Sequence, residues 1–140
     1  MSATAAKQQS AAFLVAAERC LTERQCVDGL LPIVFVPGIV CTVLSVELAF
    51  KAMIIQSGQS VSKKHNLSEL FQKLGPWQQN EIVRVVALDR ETFVAELAKM
   101  SEAFVEWRYA YEYPEVQINL GFMDQLAKAA QGAASSAIGA

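Results

Sequence analysis

The stretch Phe104-Val105-Glu106-Trp107-Arg108-Tyr109-Ala110-Tyr111-Glu112 closes a long apolar pattern with an arginine and a glutamate four residues apart. Phe93, Leu97, Met100, Phe104, Trp107 and Tyr111 recur at alternating steps of four and three, which places them in one stripe along a helix. Val94, Ala98, Ser101, Val105, Arg108 and Glu112 form a second stripe, rotated by one residue. Arg108 and Glu112 therefore border the core seam. A guanidinium in that position needs partners, because an unpaired buried charge costs several kcal/mol. The helix is expected to carry an ion-pair network or to support a site.

The rest of the chain fits an all-α domain. Its 140 residues suit a single domain with one core. With 53% hydrophobic residues and a formal net charge of −2, it lacks the broad basic surface that would draw it to nucleic acid or an anionic membrane. Three cysteines, Cys20, Cys26 and Cys41, make an odd set without a Cys-x-x-Cys pair. They read as small buried residues in a reducing cytoplasm. A single histidine removes the usual zinc patterns, so neither a metal nor another cofactor is expected. The N-terminus does not read as a signal peptide. From Leu30 to Val46 no residue is charged, but the run contains Pro32 and Pro37 and stops at Glu47. A buried central helix explains it better than a membrane span.

Punctuation along the chain predicts about five to six helices in an up-and-down bundle. A first helix runs from about Thr4 to Gln25, with Phe13, Ala17, Cys20 and Leu21 inward. Pro37 opens the second, which runs to about Gln56 and stops at Gly58. Asn66 caps a short helix over about 66–74, and Gly75-Pro76 is a stop signal. Ile82, Val83 and Val86 mark another segment, Asp89 caps the long helix of the opening stretch, and Pro114 ends it. Phe122, Met123 and Leu126 predict a short docked helix, followed by a frayed Ala/Gly/Ser tail over 127–140.

Charged residues also interrupt the second helix. Val40, Leu44, Glu47, Lys51 and Ile54 step by four, three, four and three. One reading pairs Glu47 with Arg108 and Lys51 with Glu112 across two helices. The other keeps an i,i+4 pair on each exposed face. His65 is the one side chain titrating near neutrality, and Lys63 and Lys64 precede it. It is read either as a general base or RNA contact, or as a local hydrogen-bonding group. Among the aromatics able to stack on bases, Tyr109 and Tyr113 are the more accessible pair.

Three segments together resemble the HEPN superfamily, the nucleotide-binding domains of higher eukaryotes and prokaryotes. Ser45 to Ala52 is similar to a Glu-Leu-x-x-Lys-Ala segment of that family, and Lys64 to Phe71 to its Lys/Gly-His-Asp-Leu-x-x-Leu-Phe segment, with Asn66 replacing Asp. Phe104 to Glu112 resembles the Phe-x-x-Trp-Arg-Tyr-x-Tyr-Glu signature of one prokaryotic branch. The resemblance implies a helical bundle that forms homodimers. Many members are metal-independent ribonucleases of toxin–antitoxin or defence systems, some encoded beside a nucleotidyltransferase. Their site uses an Arg-x(4–6)-His motif. Arg108 matches the arginine, but Tyr113, Pro114 and Glu115 follow where the histidine belongs. The expected protein is a cytoplasmic, catalytically diverged homodimer that binds nucleotide, RNA or a partner protein. Its polar cleft would be built from Glu47, Lys51, Lys64, His65, Arg108, Tyr109 and Glu112. The alternative is a ribonuclease using Arg108 with Tyr113 or His65.

Overall fold

The computed structural model describes residues 1–22, 35–61, 66–107 and 119–139. Among them the chain forms helices and no strand. The helices are α1 (Ala3–Leu21), α2 (Phe35–Gln56), α3 (Leu67–Gln72), α4 (Pro76–Val86), α5 (Arg90–Trp107) and α6 (Leu120–Ile138). This is the all-α bundle that the sequence predicts.

Local signals set most of the helix ends. The Asn66 side chain accepts from the backbone N–H groups of Ser68 and Glu69, satisfying two donors that the first turn of α3 leaves open. Asp89 does the same for α5, accepting from Thr92 N at 3.0 Å and from the Thr92 hydroxyl at 2.7 Å. Gly58 takes the left-handed conformation (φ 86°) just beyond α2. At Gly75-Pro76 the expected stop is also a start, because Pro76 occupies the first turn of α4, where its missing N–H costs nothing. Ala87 ends α4 in the left-handed region at φ 62°, a position usually left to glycine.

α2 is the central element. It packs against α1, α6, α3 and α5, while α4 rests on α6 and α3 on α5. Its stretch Pro37–Gln56 is long and apolar enough to cross a membrane, with mean hydropathy 2.0, yet two thirds of it is buried by the other helices. Val46, Ala49, Phe50 and Ala52 are fully enclosed. Around it the core is tied by a run of rings. Phe50 on α2 lies 5.9 Å from Phe71 on α3, Phe71 lies 4.9 Å from Phe93 on α5, and Phe93 meets Phe122 of α6 edge-on at 5.7 Å. Four helices thus share one aromatic spine, in the tilted and edge-on geometries that ring quadrupoles favour. In the stripe that opens the sequence reading, Phe93, Leu97 and Met100 are buried and Val94, Ala98 and Ser101 are half-buried.

Three expectations need correction. The inward face of α1 is led by Ala3, Ala6, Ser10 and Ala17, whereas Phe13, Cys20 and Leu21 are only half-buried. Small residues lead because α1 lies close against α2, where Gly38, Thr42, Ser45, Ala49 and Ala52 form a matching small seam. A methyl group added at Gly38 would stand 2.7 Å from the Leu21 side chain and 3.2 Å from Cys20 Cβ, so the seam has no spare room there. Cys20 and Cys41 are half-buried at its edge, not core residues as expected. Finally, 127–139 is not frayed. α6 continues to Ile138 with Ala127, Ala129, Ala130, Ala133 and Ala134 buried, because alanine both favours helix and permits close packing.

Helix directions follow from the cross-contacts. Residue 10 meets 45 and residue 21 meets 38, so α1 and α2 are antiparallel. Lys7 donates to the Gly139 carbonyl and Gln131 to Ser10, so α6 is also antiparallel to α1.

Candidate functional site

Glu47 sits at the middle of α2 and is 4% exposed. Lys51, one turn on, places its ammonium 3.5 Å from Glu47 Oε2, and its side chain is 14% exposed. The pair therefore joins residues i and i+4, as one sequence reading expects, but it is enclosed and not on a wet face. A carboxylate there is tolerable when a cation stands beside it. The neighbouring positions Val46, Ala49 and Phe50 are apolar and fully buried. The cross-helix partners proposed for this pair, Arg108 and Glu112, lie outside the described residues, as do Lys63, Lys64, His65, Tyr109 and Tyr113.

The residues that follow His65 are tied to α5. Asn66, which directly follows His65, presents its side-chain oxygen 3.3 Å from the Ser101 hydroxyl on α5. The adjacent Leu67 N–H donates to the same hydroxyl at 2.9 Å. From Ser101 the helix runs to Trp107, the residue before Arg108. At 1.5 Å per residue that distance is about 9 Å. The start of α3 is thus anchored to α5 a little more than one turn and a half before Trp107.

Two further polar arrangements were not anticipated from the sequence. Ser10 and Ser45, both fully buried, each donate to the other's backbone carbonyl, at 2.6 and 2.8 Å, and Gln131 of α6 donates to Ser10 Oγ. Near the α3–α4 turn, Gln79 donates to the Leu74 carbonyl at 2.8 Å and accepts from Arg90, whose guanidinium lies 5.9 Å from the centre of the Phe71 ring. Both arrangements satisfy buried polar groups across helices, which is a structural task. The available sequence signal for the first was the spacing of small residues, at steps of three and four on α1 and α2.

A groove of about 230 Å³ also opens between α1, α2 and α6. Leu14, Leu21, Ile39 and Met123 line it, and Glu18 and Asp124 contribute carboxylates. Asp124 is already paired with Lys128 at 3.0 Å. No three of His, Cys, Asp and Glu converge among the described residues in a way that could hold a metal. Trp77, whose ring type can stack on bases, is 55% exposed on α4.

Comparison with known proteins places this geometry in context. A family model described as HEPN domain matches residues 43–138, which takes in most of α2 and all of α3 to α6. No curated protein and no solved structure matches the chain.

Proposed function

The chain belongs to the HEPN domain family, and on that premise we propose that it is a catalytically diverged member: a homodimeric, cytoplasmic module that binds a nucleotide or RNA. The observation that carries this reading is the Glu47–Lys51 pair, kept from water on the central helix. Enclosed ion pairs add little net stability compared with apolar replacements, so their value is in fixing where charge stands. In this proposal Glu47 and Lys51 organise a cleft completed by Lys64, His65, Arg108, Tyr109 and Glu112. The anchoring of Asn66 and Leu67 to Ser101 supports it, since it ties the helix that follows His65 in sequence to the helix that precedes Arg108. The sequence Tyr113-Pro114-Glu115 supports loss of catalysis, because no imidazole follows Arg108 where the family's ribonucleases place one. Protein partners of nucleotidyltransferase type, in a toxin–antitoxin or defence setting, belong to the same proposal.

Calorimetric titration with adenosine phosphates and with a single-stranded oligoribonucleotide tests the reading. Binding that weakens tenfold or more in a folded Lys51→Met variant is the expected result. If nothing binds, the nucleotide and RNA reading fails and a protein-binding role takes its place. The ribonuclease alternative rests on Arg108 and is checked separately. Cleavage of mixed RNA without divalent metal, lost in an Arg108→Ala variant that melts normally, would establish it.

A further inference from the structure

Cys20 and Cys41 lie near the same junction of two helices. Cys20 is in the last turn of α1, and its Cβ lies 3.2 Å from the point where a Cβ on Gly38 would stand. Cys41 is three residues beyond Gly38 on α2, and Cβ atoms at that spacing on a helix are about 5–6 Å apart. Both side chains are half-buried, so a small oxidant reaches the edge of the seam. We propose that Cys20 and Cys41 are a thiol pair that low-molecular-weight disulfides of the glutathione class oxidise to an intramolecular disulfide, stapling α1 to α2.

The two thiols also sense one another electrically. Burial pushes the Cys41 thiol above its ordinary value, and the neighbouring Cys20 adds to the effect. The final closure needs Cβ atoms about 3.5–4.5 Å apart. The end of α1 is the part of that helix easiest to move, since terminal turns open at low cost.

The chemistry balances without any group beyond the oxidant. Cys20, as thiolate, attacks one sulfur of glutathione disulfide and releases the first glutathione as its thiolate. Cys41, as thiolate, then attacks Cys20 Sγ and expels the second. Two cysteines lose two electrons and two protons, and one glutathione disulfide becomes two glutathione thiols. The resulting bond closes the loop from α1 to α2 in the unfolded chain, which raises stability.

Trypsin makes the test direct. Cleavage after Arg19, Arg24 and Lys51 puts Cys20 in one peptide, but Cys26 and Cys41 together in another. The wild type and Cys26→Ser proteins are incubated with glutathione disulfide, then digested without reduction and analysed by mass spectrometry. A second protease that separates Cys26 from Cys41 is applied to the wild type. The expected result is a Cys20–Cys41 linked peptide in both proteins, absent in Cys20→Ser. It should accompany a melting temperature several degrees higher, reversed by dithiothreitol. Glutathione adducts without linkage, linkage only between two chains, or preferred pairing of Cys20 with Cys26 in the wild type would each overturn the proposal.

Discussion

Ser10 and Ser45 show how much a single side chain decides in this seam. Each hydroxyl satisfies the partner helix's carbonyl, and neither has water as an alternative. Ser45→Val adds bulk and removes a donor together, so a loss of about 2 kcal/mol in urea unfolding is expected. For the charged pair, Lys51→Met removes one partner of an enclosed carboxylate, a change expected to cost on the order of 3 kcal/mol at pH 7. The double variant Glu47→Gln/Lys51→Met should recover much of that loss, as a double-mutant cycle would show. These residues were unequally legible. Glu47 and Lys51 could be picked out because charge in an apolar stripe is conspicuous. Ser10 and Ser45 could not, because serine in an alanine-rich helix looks like a solvent-facing residue until its partner is known. Of the sequence-predicted cleft, Glu47 and Lys51 are the residues whose enclosure the structure describes.

At the level of the element, capping chemistry was the most readable signal. Asn66, Asp89 and Gly58 act as their residue types suggest, because a cap depends only on a few neighbouring backbone groups. The Thr92 hydroxyl, then its backbone N–H, holds the Asp89 carboxyl below the usual range. Its folded value is below the unfolded one, so its contribution is fully present above about pH 4 and is lost as the pH falls through the folded value. Asp89→Ala should therefore lower the melting temperature at pH 7, with the difference from wild type vanishing in acid. Thermal melts at several pH values check this. α6 was misread because Ala, Gly and Ser imply little burial by hydropathy, although here they are what lets three helices approach. Removing residues 127–140 should abolish the cooperative melt seen by circular dichroism, whereas a frayed tail could be cut without effect.

Across the whole molecule, stability is shared through the aromatic spine. Phe93 touches both Phe71 and Phe122, so Phe93→Ala should cost about 3–5 kcal/mol, a large part of the 5–15 kcal/mol typical of a domain. Urea titration would measure it. The architecture also makes the synthesis of α6 a condition for concealing α2. Its cover comes from α1, which precedes it, and from α6, made well after it, with Ser10 and Gln131 meeting across 121 positions of sequence. During synthesis, a nascent chain that has not yet released α6 offers the translocation machinery a 20-residue segment of membrane-like hydropathy. Ribosome stalling before residue 120 should therefore send this product to the membrane or to chaperones, whereas a chain that includes α6 keeps two thirds of that segment buried.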